Sequence, residues 1–129
     1  MTRINLVPPA ELEDKHLLAE YRELPRVFAL AAAWDRRGRD TPVPPAYTLG
    51  KGHVAFFYDK LGFLRQRYAL LVEEMRDRGF TVNYPEPLVP ALPRDLFRPY
   101  TATLTALEVN RQRIALRLRE AQSRRRRPS

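Results

Sequence analysis

"VAFFYDKLGFLRQRYALLVEEM", residues 54–75, decides how the rest of the chain is read. Val54, Phe57, Leu61, Leu64, Tyr68, Leu71 and Met75 recur at alternating steps of three and four. That is the spacing of one face of an α-helix, so a helix with a long apolar stripe is expected here. "RDRGF" follows at 76–80: its arginines suit the negative end of a helix, and Gly79 stands at the capping place. "FFY", 56–58, is too many aromatics for one face. Phe57 is expected in the core, with Phe56 or Tyr58 packed elsewhere; a base-stacking platform is the less favoured reading.

Upstream lies a second stripe. Leu17, Tyr21, Leu24, Phe28 and Ala31 are four, three, four and three residues apart, and Trp34 continues the face. A helix is expected to begin near Pro9–Ala10, where Glu11, Glu13 and Asp14 suit its positive end. Pro25 falls inside it and has no N–H for the Tyr21 carbonyl. The stripe runs through the proline, so a bend is expected rather than an end. Two loops flank the central helix. "DRRGRDTPVPPA", 35–46, is rich in proline and charge, and residues 81–99 carry Pro85, Pro87, Pro90, Pro93 and Pro99. A third helix is expected from about Thr101–Thr105, where "TALE", 105–108, reads as a capping box. Leu104, Leu107, Ile114 and Leu118 mark its inner face. No strand or repeat stands out. The fold class read from this pattern is all-α: one compact domain over 1–121, three main helices, long proline-rich connections, and an arginine-rich, disordered tail at 122–129.

The 129 residues are 44% hydrophobic, enough for one modest core. The chain has no cysteine and two histidines, His16 and His53. Thiol chemistry and a structural zinc site are therefore set aside. No apolar run is long enough to span a bilayer, and no signal pattern opens the chain, so an intracellular, nucleoid-associated protein is expected. Lys plus Arg is 23 against 15 acids, a formal charge of +8. Such an excess points first to nucleic acid and second to an anionic membrane surface.

Several residues carry chemistry that fits this charge. Arg22 and Arg26 are one turn apart with Glu23 between them; read alone, the cluster favours a solvated face with a weak ion pair. Arg113 and Arg117 share a face of the last helix with few acids nearby, which favours phosphate contact. "GKGH", 50–53, lacks the spacing of a P-loop. Its glycines read as a tight turn, Lys51 as a phosphate contact and His53 as a structural hydrogen-bonding residue. Met1 precedes the small Thr2, a pair that permits removal of the methionine and leaves Thr2 with a free α-amine. The reference pKa of such an amine is about 7.7–8.0, against about 10.4 for lysine. It is therefore partly neutral and nucleophilic near neutral pH, and able to form an imine with a sugar carbon.

"MTRINL", "HLLAEYRELPRVF" and "LGKGHVAFFYDKLGFLRQR" closely resemble the phage-type pyrimidine-dimer DNA glycosylase/AP lyase family. The match is dense over 1–28 and 47–80 and weaker over the third helix. The resemblance implies an all-α enzyme, acting alone as a monomer on double-stranded DNA carrying ultraviolet lesions, with no cofactor and no membrane partner. It implies that Thr2 supplies its α-amine to C1′ of the 5′ nucleotide of a cyclobutane dimer. Glu23 is then the essential carboxylate, and β-elimination cuts the strand. By the same resemblance Arg3, His16, Arg22 and Arg26 lie at the DNA around the lesion, and Arg113 and Arg117 hold phosphates. One departure is plain: the family's tail carries an aromatic stretch, whereas "AQSRRRRPS" has none. Its arginines supply electrostatic attraction but no stacking. Two other readings fit the composition: a basic DNA-binding protein without catalysis, and the same chemistry directed at abasic or oxidised sites.

Overall fold

The structure, a computed structural model, describes residues 2–126. Among them it is all-α, with α1 (Asp14–Glu23), α2 (Pro25–Arg36), α3 (Leu61–Asp77) and α4 (Leu104–Arg126). No strand forms among the described residues. Helices α1 and α2 are two arms of one helix bent by 33° at residue 24, so the three main helices and the expected bend are both present. Leu24 keeps helical angles, φ −53° and ψ −42°, and the Val27 N–H turns back to the Leu24 carbonyl at 3.0 Å. Pro25 thus sits where a missing N–H is tolerated, at the start of a new arm.

The two apolar stripes form the core. Leu17, Leu24, Phe28 and Ala31 of the bent helix are wholly buried, as are Leu61, Leu64 and Leu71 of α3. Phe56, Phe57 and Tyr58 are all buried too. They lie in and beside a 3-10 turn at Ala55–Phe57, where neighbouring side chains point in different directions. Tyr58 meets Trp34 at 5.2 Å, and Phe56 packs edge-on against Tyr100 at 5.2 Å, so these rings serve packing rather than base stacking.

Helix boundaries differ from the sequence expectations, each for a local reason. The first helix starts at Asp14 rather than near Pro9, because Pro9–Glu11 is a separate 3-10 turn and Leu12 is extended. Arg78 explains the break: its Nη2 donates to the carbonyls of Pro9 (3.1 Å) and Leu12 (2.7 Å), which a continuous helix would use internally. Helix α3 starts at Leu61 rather than Val54, since Lys60 leaves helical angles to bridge to Phe97. Gly62 permits that approach: a Cβ there would lie 2.8 Å from the Phe97 carbonyl oxygen. At the far end of α3, Gly79 adopts φ +84° as expected. Phe80 N–H reaches the Met75 carbonyl at 2.9 Å and Gly79 N–H the Arg76 carbonyl at 3.0 Å, a complete Schellman cap.

In α4 the capping residue is Thr103, not Thr105: its Oγ1 accepts the Ala106 N–H at 3.0 Å. Leu104 is not part of the inner face. It is the first residue of the helix and 87% exposed, and burial begins at Ala106. The helix continues through Arg126, into the segment expected to be disordered; residues 127–129 lie outside the described residues. No described helix is long and apolar enough to cross a membrane.

Candidate active site

The N-terminal segment determines the site. Residues 2–7 form no helix or strand, yet Thr2, Ile4, Asn5, Leu6 and Val7 are all buried. A buried backbone without a ladder must find its hydrogen bonds elsewhere. Side chains from the other elements supply them. Ile4 N–H donates to His53 Nε2 at 2.9 Å, and Tyr47 Oη donates to the Ile4 carbonyl at 3.0 Å. Asn110 Oδ1, from α4, accepts both Leu6 N–H (2.6 Å) and Val7 N–H (3.1 Å). Arg67 Nη1, from α3, donates to the Val7 carbonyl.

His53 therefore has the structural role expected of it. Since Nε2 accepts, the Nδ1 proton faces the Thr48 carbonyl at 2.8 Å. Burial lowers the His53 pKa, the Thr48 carbonyl partly opposes this, and Arg3 and Arg113 lower it further. Burial likewise raises the Tyr47 pKa, which keeps that hydroxyl a donor.

Beneath this segment lies a buried polar cluster, two of whose members, Asn5 and Glu20, also reach the wall of a cavity. Arg67 forks onto Glu20 through Nε (2.8 Å) and Nη2 (3.0 Å). Asn5 Nδ2 also donates to Glu20, at 2.8 Å, and Asn5 Oδ1 accepts from Asn110 Nδ2 at 2.8 Å. Side chains from α1 and α4 thus meet at Asn5, and Arg67 of α3 joins them through Glu20. The sequence reading missed all four residues, although a signal existed. Glu20, Arg67 and Asn110 each stand three residues after and four before an apolar stripe position: Leu17 and Leu24, Leu64 and Leu71, Leu107 and Ile114. A polar residue in that register faces inward.

Above the cluster opens a cavity of about 1050 Å³ whose lining includes Arg3, His16, Glu23, Arg113 and Arg117. Three buried side-chain polar atoms among the described residues lack hydrogen-bond partners: Arg3 Nη1, Glu23 Oε2 and Arg113 Nε. All three residues line this cavity. Unpaired buried polar atoms are uncommon, and their concentration around one cavity sets it apart from the rest of the described molecule. The Arg3 pKa is lowered by burial first and then by the positive charges of Arg113 and Arg117. Guanidiniums crowded in this way favour an anion between them.

The remaining expected site residues fall elsewhere. Arg26 is exposed, with Nη1 3.9 Å from Glu23 Oε2, and Arg22 is exposed on α1. Thr2 and Lys51 border a second cavity of about 690 Å³ together with His53. The chain therefore passes from one cavity to the other between Thr2 and Arg3.

Residues 1–87 match the family described as pyrimidine dimer DNA glycosylase. The chain belongs to that family. It is accordingly a DNA-repair glycosylase of pyrimidine dimers, and damaged DNA is its substrate. The matched span includes Thr2, Arg3, Glu23 and Lys51 but ends before α4. The enzyme's Asn110 is joined to the matched part by its hydrogen bonds, and Arg113 and Arg117 line one cavity with Arg3 and Glu23 of that part.

Proposed function

We propose that the enzyme excises cyclobutane pyrimidine dimers through the α-amine of Thr2, freed by loss of Met1. The amine nitrogen attacks C1′ of the 5′ nucleotide of the dimer, and the bond from C1′ to the base breaks. The base leaves with the electron pair and takes up a proton. Loss of a proton from the nitrogen and opening of the sugar ring give an imine. Removal of a C2′ proton then expels the 3′ phosphate by β-elimination, which cuts the strand, and water releases the product. Glu23 is the carboxylate that accepts and returns these protons, a role worth about 10²–10⁴ in rate. Arg3, Arg113 and Arg117 hold backbone phosphates in the large cavity; Arg22, Arg26 and Lys51 hold flanking ones, and His16 lies beside the lesion. The duplex is unstacked at the lesion, where stacking is already weakened.

The observation that carries this reading is the set of unpartnered atoms on Arg3, Glu23 and Arg113 around one cavity. Cations await phosphates there, and a carboxylate oxygen awaits a proton donor. Borohydride trapping on a duplex with a single dimer tests the proposal. Protein lacking Met1 should give a covalent adduct, and protein blocked at the amine should give none. Absence of an adduct on both dimer and abasic DNA would overturn the imine chemistry. An adduct on abasic DNA alone would move the same chemistry to a different lesion.

A further inference from the structure

We propose that the buried cluster of Asn5, Glu20, Arg67 and Asn110 is a positioning device that holds the Thr2 amine in register with Glu23. The inference rests on the proposed roles of those two residues. A buried ion pair such as Arg67–Glu20 is weak grounds for stability, since apolar replacements often do as well. What this cluster does is select one alignment. A segment with no ladder of its own is free to slip, and a slip of one residue changes which wall each side chain faces. Here a slip would carry Thr2 away from the point where the segment crosses between the two cavities, and Arg3 out of the one that Glu23 lines.

Asn5 prevents this because its amide has two different ends. The Nδ2 end donates to Glu20, and the Oδ1 end accepts from Asn110. The apolar neighbours Ile4 and Leu6 offer neither group. Asn110 adds a second register mark by taking Leu6 N–H and Val7 N–H on one oxygen. The lever arms are short. Thr2 lies three residues before Asn5, and Glu23 three after Glu20. Three helical residues rise about 4.5 Å, and three extended residues span about 10 Å. The last turn of α1 and the anchored segment therefore share one origin. Misplacement of reacting groups by about 1 Å can cost on the order of 100-fold in rate. Asn5 and Asn110 are thus positioning residues that act through the backbone of the segment.

The test compares chemistry with binding on the full chain. The variants are Asn5→Ala, Asn110→Ala and the double variant, with Asn110→Ser as a milder version should alanine fail to fold. Single-turnover borohydride trapping on an abasic-site duplex measures imine formation. Fluorescence anisotropy with a tetrahydrofuran-site duplex, which cannot react, measures binding. Imine formation at saturating protein should fall about 10- to 100-fold, while affinity stays within about threefold and the midpoint of the pH–rate profile is unmoved. The double variant should be little slower than the worse single one, because the two amides act as a unit. A lower melting temperature with wild-type trapping per folded molecule would reduce the cluster to a structural role and overturn the proposal. So would equal losses in binding and trapping. If the wild-type protein forms no adduct, the Thr2–Glu23 chemistry itself fails, which is a separate result from a wild-type protein and Asn5→Ala trapping at equal rates.

Discussion

Glu20 and Glu23 lie less than one turn apart on α1, yet their surroundings are opposite. The Glu20 side chain is 1% exposed and receives three hydrogen bonds, two from Arg67 and one from Asn5. The Glu23 side chain is 31% exposed; among the described residues its Oε2 has no hydrogen-bond partner, and its ion-pair partner Arg26 stands off at 3.9 Å. A carboxylate with its hydrogen bonds satisfied in a buried cluster is bound into the architecture and has little capacity left for chemistry. An unsatisfied one at the wall of a polar cavity retains that capacity. The difference comes from a step of three residues, which turns one side chain into the core and leaves the next at its edge.

This contrast can be broken most forcefully at Glu23. Glu23→Gln should lower single-turnover strand cleavage by about 10²–10⁴ while shifting stability by less than about 0.5 kcal/mol. Normal cleavage would remove Glu23 from its role, and unfolding would mean that it belongs to the architecture after all. Glu20→Ala should show the reverse. It strands the Arg67 charge in the core, so urea denaturation should report a loss of about 3–5 kcal/mol. That is a large share of what a domain of this size possesses.

The seam between the two regions is open to a pH test. His53 grips Ile4 only as a neutral acceptor at Nε2, and folding lowers its pKa. The stability it contributes is therefore fully present above its unfolded pKa of about 6.5 and is lost as pH falls through the lower folded value. The gap in urea midpoint between the wild type and His53→Gln should narrow from pH 8 to pH 5. A gap that holds constant would show that the imidazole merely fills space.

The smallest effects concern the arginines. Arg113→Ala should lessen the salt dependence of DNA binding by roughly one phosphate contact. Arg26→Ala should change stability by no more than about 0.5 kcal/mol, because its pair with Glu23 is long and exposed. A larger loss would draw Glu23 toward the buried kind of carboxylate and weaken the contrast.

Much of this was legible in the chain itself. The all-α class, the core stripes, the bend at Pro25 and the Gly79 cap all follow from spacing of three and four and from two residues with restricted or unusual backbones. Residues that act within one turn of their neighbours announce themselves this way. The helix starts did not, because Arg78 and Phe97 intervene from distant parts of the chain. Nor did Asn5. Its partners Glu20 and Asn110 lie 15 and 105 residues away.

Charge and periodicity alone point to a basic, helical protein suited to nucleic acid, and the family resemblance adds DNA repair and singles out Thr2 and Glu23. It took the packed fold to run an N-terminal segment with no helix or strand through the core, gripped by His53, Tyr47, Arg67 and Asn110. The fold alone gathered Arg3, Glu23 and Arg113 around one cavity. Periodicity encodes which face of an element turns inward, but not which polar groups meet there. That pairing is set by the requirement that every buried donor and acceptor find a partner, and it is settled only when the helices have closed around the segment.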